Sequence, residues 1–255
     1  LWWVGAGLTA IDVFMPANVF PHASLVFVAF TSLLLPIIAK KLVWPLLASL
    51  AFLLLPVMAF ALIIDVFESH PLSHYGLFSW LIAFAVYIWL IMHYSVPKHS
   101  IYRAGLLWIG TIVGALEWQY QISTHITSQE VWLQIGWAIV PIIMVALITR
   151  WQKDNQNYAA SRAWLWIGVA PIMLFLCGWF VLMSVNSSGN VMPLPYIPLL
   201  NPLDISLSAV LLMLLIWERN IRQYFYKFQS HMPKFVGLMG FALLNGMMLR
   251  TLHHW

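Results

Sequence analysis

Polar residues interrupt this chain at intervals, and the apolar stretches between them are long enough to cross a bilayer. A helix needs about 20 predominantly apolar residues to span a hydrocarbon core ~30 Å thick, with a working range of about 17 to 25. By that measure the pattern predicts nine helices, at roughly 1–15, 22–39, 43–64, 76–93, 102–121, 131–149, 162–185, 204–221 and 233–252. The first is short. The eighth is apolar only from Ile205 to Trp217, so it must extend through Arg219 and Arg222, whose heads snorkel toward water. None of the runs shows the period-two alternation of a membrane barrel strand. The expected fold is an all-α polytopic transmembrane helix bundle, a single domain over residues 1–255.

The charges sort by loop. Lys40, Lys41, Lys98, Arg103, Arg150, Lys153, Arg162, Arg219, Arg222, Lys227 and Lys234 fall on alternate connections. Asp12, Asp65, Glu68, Glu130 and Asp204 fall on the others, with Glu117 at a helix end. Of the twelve Lys and Arg, only Arg250 breaks the rule. Cytoplasmic loops retain Lys and Arg, so this bias predicts that the first helix runs outward. The connections near 16–21, 65–75, 122–130 and 186–203 are then exterior. The expected location is a membrane crossed several times, with the basic loops on its cytoplasmic side.

Composition agrees and excludes several classes. The chain is 62% apolar and only 8% charged, against roughly a quarter charged in soluble domains. Its 15 Trp and 9 Tyr fit interfacial aromatic belts. The net charge of +4 needs no nucleic acid, because basic loops are drawn to anionic lipid headgroups. The one cysteine, Cys177, offers neither a disulfide framework nor a thiol metal site. The chain starts at Leu1 with no signal peptide, inside an apolar segment. That leads us to expect a piece of a longer polypeptide, truncated at both ends, with the missing segments as natural partners.

A weak repeat runs through the odd-numbered helices. Trp3-Val4-Gly5 precedes Asp12 as Trp108-Ile109-Gly110 precedes Glu117, and Ile11-Asp12-Val13-Phe14 recurs as Ile64-Asp65-Val66-Phe67. Arg162 to Gly168 resembles Arg103 to Gly110. The unit is a helical hairpin of about fifty residues.

The exterior side holds the candidate chemistry. Asp65, Glu68, His70 and His74 gather two carboxylates and two imidazoles in ten residues. Their spacing matches no metal signature, and if Pro71 opens the next helix, His70 and His74 share a face. Glu117 lies about fourteen residues beyond Arg103, ~21 Å of helix, which is less than the hydrocarbon core. A carboxylate at that depth needs a partner or a wet cavity, and burial favours its protonated form, which suits a proton relay. Asp12 is its counterpart in the repeat.

Farther on, Pro193, Pro195, Pro198 and Pro202 exclude a regular helix and favour a stiff, extended loop whose apolar residues pack on the bundle. Asn201, Pro202 and Asp204 read as N-cap, N1 and N3 of the eighth helix. Asn186-Ser187-Ser188 matches a glycosylation sequon, of consequence only in a eukaryotic secretory context. In the last helix Arg250 and His254 lie one turn apart, with His253 beside them. The simplest reason for Arg250 on the acidic side is an ion pair with an exterior carboxylate, or an anionic headgroup or substrate. Gly237, Gly240 and Gly246 permit close helix packing. The chain carries no phosphate loop, dinucleotide fingerprint, zinc-protease helix or serine elbow, so no cofactor is implied.

Pro195 to Leu203, followed some fifty residues on by Leu249-Arg250-Thr251-Leu252-His253-His254-Trp255, resembles the bacterial membrane proteins of domain-of-unknown-function family 2339. The resemblance implies a polytopic inner-membrane protein, usually longer, often with an N-terminal cytoplasmic coiled coil and further helices. It implies no activity and assigns no role to Asn201–Leu203 or Arg250–Trp255. Three functions fit this reading. One is transport or export of an envelope component along a wet path lined by Glu117, Asp12 and Arg250. Another is a membrane enzyme acting at the periplasmic face on a lipid-linked or carbohydrate substrate, with Asp65, Glu68 or Glu117 as acid or base and His253 or His254 as partner. The third is a non-catalytic envelope scaffold or sensor.

Overall fold

A computed structural model describes residues 2–68, 70–94, 99–126, 130–154, 164–190, 194, 196–222, 224 and 231–254. The helices are α1 (Trp2–Phe14), α2 (Phe20–Leu42), α3 (Pro45–Leu50), α4 (Leu54–Glu68) and α5 (Gly76–His93). They continue as α6 (His99–His125), α7 (Glu130–Asp154), α8 (Ala170–Asn186), α9 (Pro202–Arg222) and α10 (Met232–His254). Among the described residues there is no strand. The fold is the all-α polytopic bundle that the apolar pattern predicts, and the helix expected at 76–93 has those bounds. Lys98, Arg162, Pro193, Pro195, Lys227 and Trp255 lie outside the described residues, as do the side chains of Glu68, Glu130 and Lys153.

Two predicted helices carry irregularities with local causes. The segment expected at 43–64 divides into α3 and α4 around a 3-10 turn, Ala51–Leu53. Pro56 has no N–H to offer the Phe52 carbonyl and its ring crowds that group, so the helix tightens just before it. The run expected at 162–185 enters α8 through a π turn, Trp164–Val169. Such widened turns disturb the regular ladder of carbonyls. Here Trp217 Nε1 donates to the Leu165 carbonyl at 3.1 Å.

The chain divides into two compact units, Leu1–Glu117 and Trp118–Trp255. In the first, α2 is the hub and packs on α1, α3, α4 and α5. Leu25, Phe52, Met58, Trp80, Tyr87 and Leu90 fill its core. Phe52 meets Tyr87 edge-on, with ring centroids 6.1 Å apart. In the second unit α9 is the hub, packed on α7, α8 and α10. Its Leu203, Leu207, Val210, Leu214, Trp217 and Ile221 recur every three or four residues and are buried.

Among the described residues, six helical segments are long and apolar enough to cross a membrane by length and composition: Phe20–Leu42, Pro45–Phe67, Gly76–His93, Val131–Trp151, Leu165–Asn186 and Met232–His254. Helix α9 is long enough but carries Asp204, Glu218, Arg219 and Arg222. Its central place explains how it keeps them: Asp204 and Glu218 are buried against neighbours, and Glu218 pairs with Arg222 one turn on. Around these hubs large apolar side chains point outward, Phe60, Met92, Leu174 and Leu252 among them. Water would penalise so much exposed apolar surface, and lipid does not.

Candidate functional site

Among the described residues, each unit holds a polar cluster that gathers predicted site residues. In the first, the Pro71–Tyr75 turn between α4 and α5 folds back toward α6. His70 Nδ1 lies 2.7 Å from Glu117 Oε2, and the Leu72 backbone N–H donates to the same oxygen at 3.3 Å. An ionised carboxylate only accepts, so the imidazole donates from Nδ1 in that state. Both side chains keep partial access, 20% for His70 and 13% for Glu117.

The turn is tightly built. His74 and Tyr75 have positive φ, and Gly76 N–H donates to the Ser73 carbonyl at 2.5 Å. A Cβ on Gly76 would sit 2.0 Å from the Pro71 carbonyl oxygen, so only glycine fits where α5 begins. Pro71 therefore starts a turn, not a helix, and His70 and His74 do not share a helix face. His70 reaches Glu117, while His74 is exposed. Beneath the turn, buried Asp65 accepts from Trp80 Nε1 at 3.0 Å. His22, at the start of α2, is also buried, with its Nδ1 3.3 Å from Ser79 Oγ. Ser79 in turn donates to the Gly76 carbonyl at 2.9 Å.

Asp12 does not join this group and is exposed on α1. Its sequence match Asp65 is buried and bonded, so the repeated tetrapeptide does not repeat a role. The side chain of Glu68 lies outside the described residues. Among those described, no three His, Cys, Asp or Glu residues gather closely enough to hold a metal ion.

In the second unit Arg250 finds the carboxylate that its position called for. Its Nη2 donates to Asp204 Oδ1 at 2.7 Å, with the two side chains 4% and 0% exposed. Arg250 Nη1 also approaches the Ser184 carbonyl at 3.5 Å. The capping expected for α9 is present: Asn201 Oδ1 accepts from Leu203 N–H at 2.9 Å, and Asn201 Nδ2 donates to the Gly189 carbonyl at 2.8 Å. Asp204 thus sits in the first turn, where the helix dipole favours an anion.

The proline-rich loop packs on the bundle through Tyr196, whereas Leu194, Ile197, Leu199 and Leu200 are exposed. Tyr196 Oη lies 3.3 Å from both Asp204 Oδ2 and the Met247 carbonyl. His254 stacks on the Tyr196 ring at 4.7 Å, and its Nε2–H donates to the Ser188 carbonyl at 2.9 Å. His253 is exposed and meets His254 edge-on. Burial pushes the Tyr196 phenol above its usual range; the charge of Asp204 adds to this, and hydrogen bonds with Thr251 and Arg250 oppose it.

Glycine makes room for Arg250 twice. Gly189 has φ +72°, and a Cβ there would lie 2.7 Å from Arg250 Cδ. A Cβ on Gly246 would lie 3.1 Å from both Arg250 Nη1 and the Ser184 carbonyl. Gly246 therefore does permit close packing, while a Cβ on Gly237 would meet nothing within 4 Å.

His22, Tyr196 and Gly189 belong to these clusters without having stood out in the sequence. His22 could have been found as an ionisable residue at the start of an apolar run. Nothing local marks Gly189, because the side chain it accommodates is sixty-one positions away.

Six apolar helices of bilayer length, with apolar side chains on their outer faces, define a multi-pass membrane protein. The chain belongs to the DUF2339 family of predicted membrane proteins, which it matches over residues 2–255. No curated protein matches it, and no solved structure does. The two stretches on which the resemblance rested, Pro195 to Leu203 and Leu249 to Trp255, meet where Tyr196 stacks on His254, beside the Arg250–Asp204 pair.

Proposed function

We propose that this protein transports or exports a cell-envelope component across the bacterial inner membrane, coupled to a proton carried by His70 and Glu117. The observation that supports this reading is the partner that Glu117 takes. Asp204 is matched by an arginine, which keeps its charge at any physiological pH and makes a permanent, structural pair. Glu117 is matched by an imidazole at 2.7 Å. Histidine gains and loses its proton near neutrality, and two titratable groups in contact exchange protons as one unit. Partial access of both side chains lets water deliver the proton. Positive-inside bias supports an exterior position for the pair, facing an envelope precursor or anionic headgroup.

The test is proton entry into liposomes containing the full-length protein, read with an internal pH dye under an imposed membrane potential. Glu117→Gln and His70→Gln should each slow entry at least about tenfold, the scale of losing a positioned proton-transfer group. Entry at the wild-type rate in both variants overturns the reading.

The same pair supports a second reading, a membrane enzyme that uses it as general acid and base on a lipid-linked or carbohydrate substrate. Turnover of such a substrate without proton entry in its absence favours the enzyme over the transporter.

A further inference from the structure

Buried His22 is not one of the two proton carriers, yet hydrogen bonds lead from it without a break to the pair at Glu117. The run starts at Ser79. A hydroxyl has one proton, and that of Ser79 goes to the Gly76 carbonyl at 2.9 Å, the shorter of its two contacts. Ser79 Oγ is then the acceptor toward His22, so His22 Nδ1 carries the proton that spans their 3.3 Å. The partner thereby fixes the tautomer of the neutral ring: protonated on Nδ1 and bare on Nε2.

From Gly76 the run follows the backbone. Gly76 N–H donates to the Ser73 carbonyl at 2.5 Å, and Ser73 N–H donates to the His70 carbonyl at 3.0 Å. The His70 side chain then reaches Glu117. Packing adds to the tie. The Cβ position of Gly76 lies 3.0 Å from His22 Cε1 and 2.0 Å from the Pro71 carbonyl oxygen, so the imidazole fits beneath the turn. Helix α4 ends at Glu68, before His70. Through Ser73 and Gly76 the backbone of His70 is held from the α5 side, by a turn whose base rests on α2.

We propose that His22 is a positioning residue for the proton pair, acting through Ser79 and the turn of residues 70–76 to set where His70 Nδ1 stands against Glu117. Proton transfer needs its two heavy atoms within about 2.6–3.2 Å, and this pair stands at 2.7 Å. A turn that sags by about 1 Å takes the pair out of that range. The proposal rests on the proton reading for the consequence of this placement alone; the placement itself is tested separately.

The experiment records nuclear magnetic resonance of the full-length protein with isotope-labelled histidine nitrogens, and proton entry in liposomes. The resonance that His70→Gln removes identifies His70. In the wild type, His22 should show its proton on Nδ1. His22→Leu and Ser79→Ala each break the run, and each should move the His70 Nδ1 resonance toward its position in Glu117→Gln. Each should also slow proton entry about tenfold or more, the scale of a misplaced transfer group. His22→Asn keeps an N–H at the same bond separation from Cβ as Nδ1, and should restore both the resonance and the rate. Added to His70→Gln, His22→Leu should slow entry no further, because it acts through the residue already removed. A merely structural link between α2 and α5 would lower the melting temperature of His22→Leu and leave the His70 resonance in place. An unmoved resonance in both folded variants therefore overturns the proposal. So does a His22 proton found on Nε2, or a further loss of rate in the double variant. If the resonance moves while Glu117→Gln and His70→Gln admit protons normally, the proton reading falls and the positioning stands. If those two slow entry and neither His22→Leu nor Ser79→Ala moves the resonance, only the positioning falls.

Discussion

Arg250 donates to Asp204 at 2.7 Å across forty-six positions of sequence, and neither side chain is more than 4% exposed. The bond ties the first turn of α9 to α10, beside the Tyr196 phenol and the Ser184 carbonyl. Breaking a buried pair by removing one partner leaves a charge that nothing compensates. Asp204→Leu or Arg250→Met alone should therefore cost about 3–5 kcal/mol. Apolar groups of similar size lose no pairing, so Asp204→Leu with Arg250→Met should cost well under the sum of the singles. Thermal unfolding of the three variants in detergent, followed by circular dichroism, checks this.

Tyr196 gives the same cluster a signature at alkaline pH. Its phenol is held above the ordinary value of 10.0, chiefly by burial. The unfolded chain then loses this proton before the folded one does. The stability that Tyr196 contributes is full below pH 10.0 and is lost as pH rises through its folded value. Tyr196→Phe should flatten that part of the stability–pH curve. In absorbance titrations of tyrosinate, the component missing from the variant should be one that ionises late.

Much of this architecture was legible in the chain, and the exceptions have physical reasons. Helix spans could be read because bilayer thickness imposes a length on every apolar run, which is why 76–93 emerged with the observed bounds. The α9 cap could be read because Asn201, Pro202 and Asp204 are neighbours whose roles follow from the helix end itself. That Arg250 needs a carboxylate was also legible from its place among acidic loops. Which carboxylate it takes depends on how α9 and α10 pack, and no local pattern encodes that. Whether Pro71 opens a helix stayed open for the same reason. Proline at that position serves a helix start or a turn equally well, and Gly76 packed against its carbonyl decides for the turn.

The π turn before α8 should be measurable through Trp217. Its indole N–H donates to the Leu165 carbonyl, and both residues are buried. Trp217→Phe removes the donor and part of the ring, and should cost about 1–3 kcal/mol for the orphaned carbonyl alone. Hydrogen exchange should quicken in residues 165–169 before it changes in α10. Uniform quickening through both would mean that the bond does not specifically secure the turn.

Gly189 should be the least replaceable glycine of the second unit. Its φ of +72° is left-handed, which costs other L-residues roughly 1–2 kcal/mol. The added Cβ would also press on Arg250 Cδ at 2.7 Å and on the Tyr196 ring at 3.2 Å. Gly189→Ala should therefore destabilise by more than the backbone term alone. Gly178→Ala, where a Cβ meets nothing within 4 Å, should be neutral or slightly stabilising in the same melt, since it lies inside α8.

The contrast between the two carboxylates can be tested by making one resemble the other. His70→Arg places a permanent cation opposite Glu117 and lets a guanidinium reach the oxygen that His70 Nδ1 now holds at 2.7 Å. Pairing and fold should survive, because the turn depends on Gly76 and Pro71, which are untouched. What disappears is a partner able to release its proton, since arginine stays charged throughout the physiological range. The expected result is a melting temperature close to wild type, with proton entry slowed as far as in Glu117→Gln. His70→Gln offers no exchangeable proton near neutrality and should slow proton entry as His70→Arg does. If His70→Arg conducted protons normally, pairing rather than titration would be the role of His70, and Glu117 would stand in its unit as Asp204 does in the other.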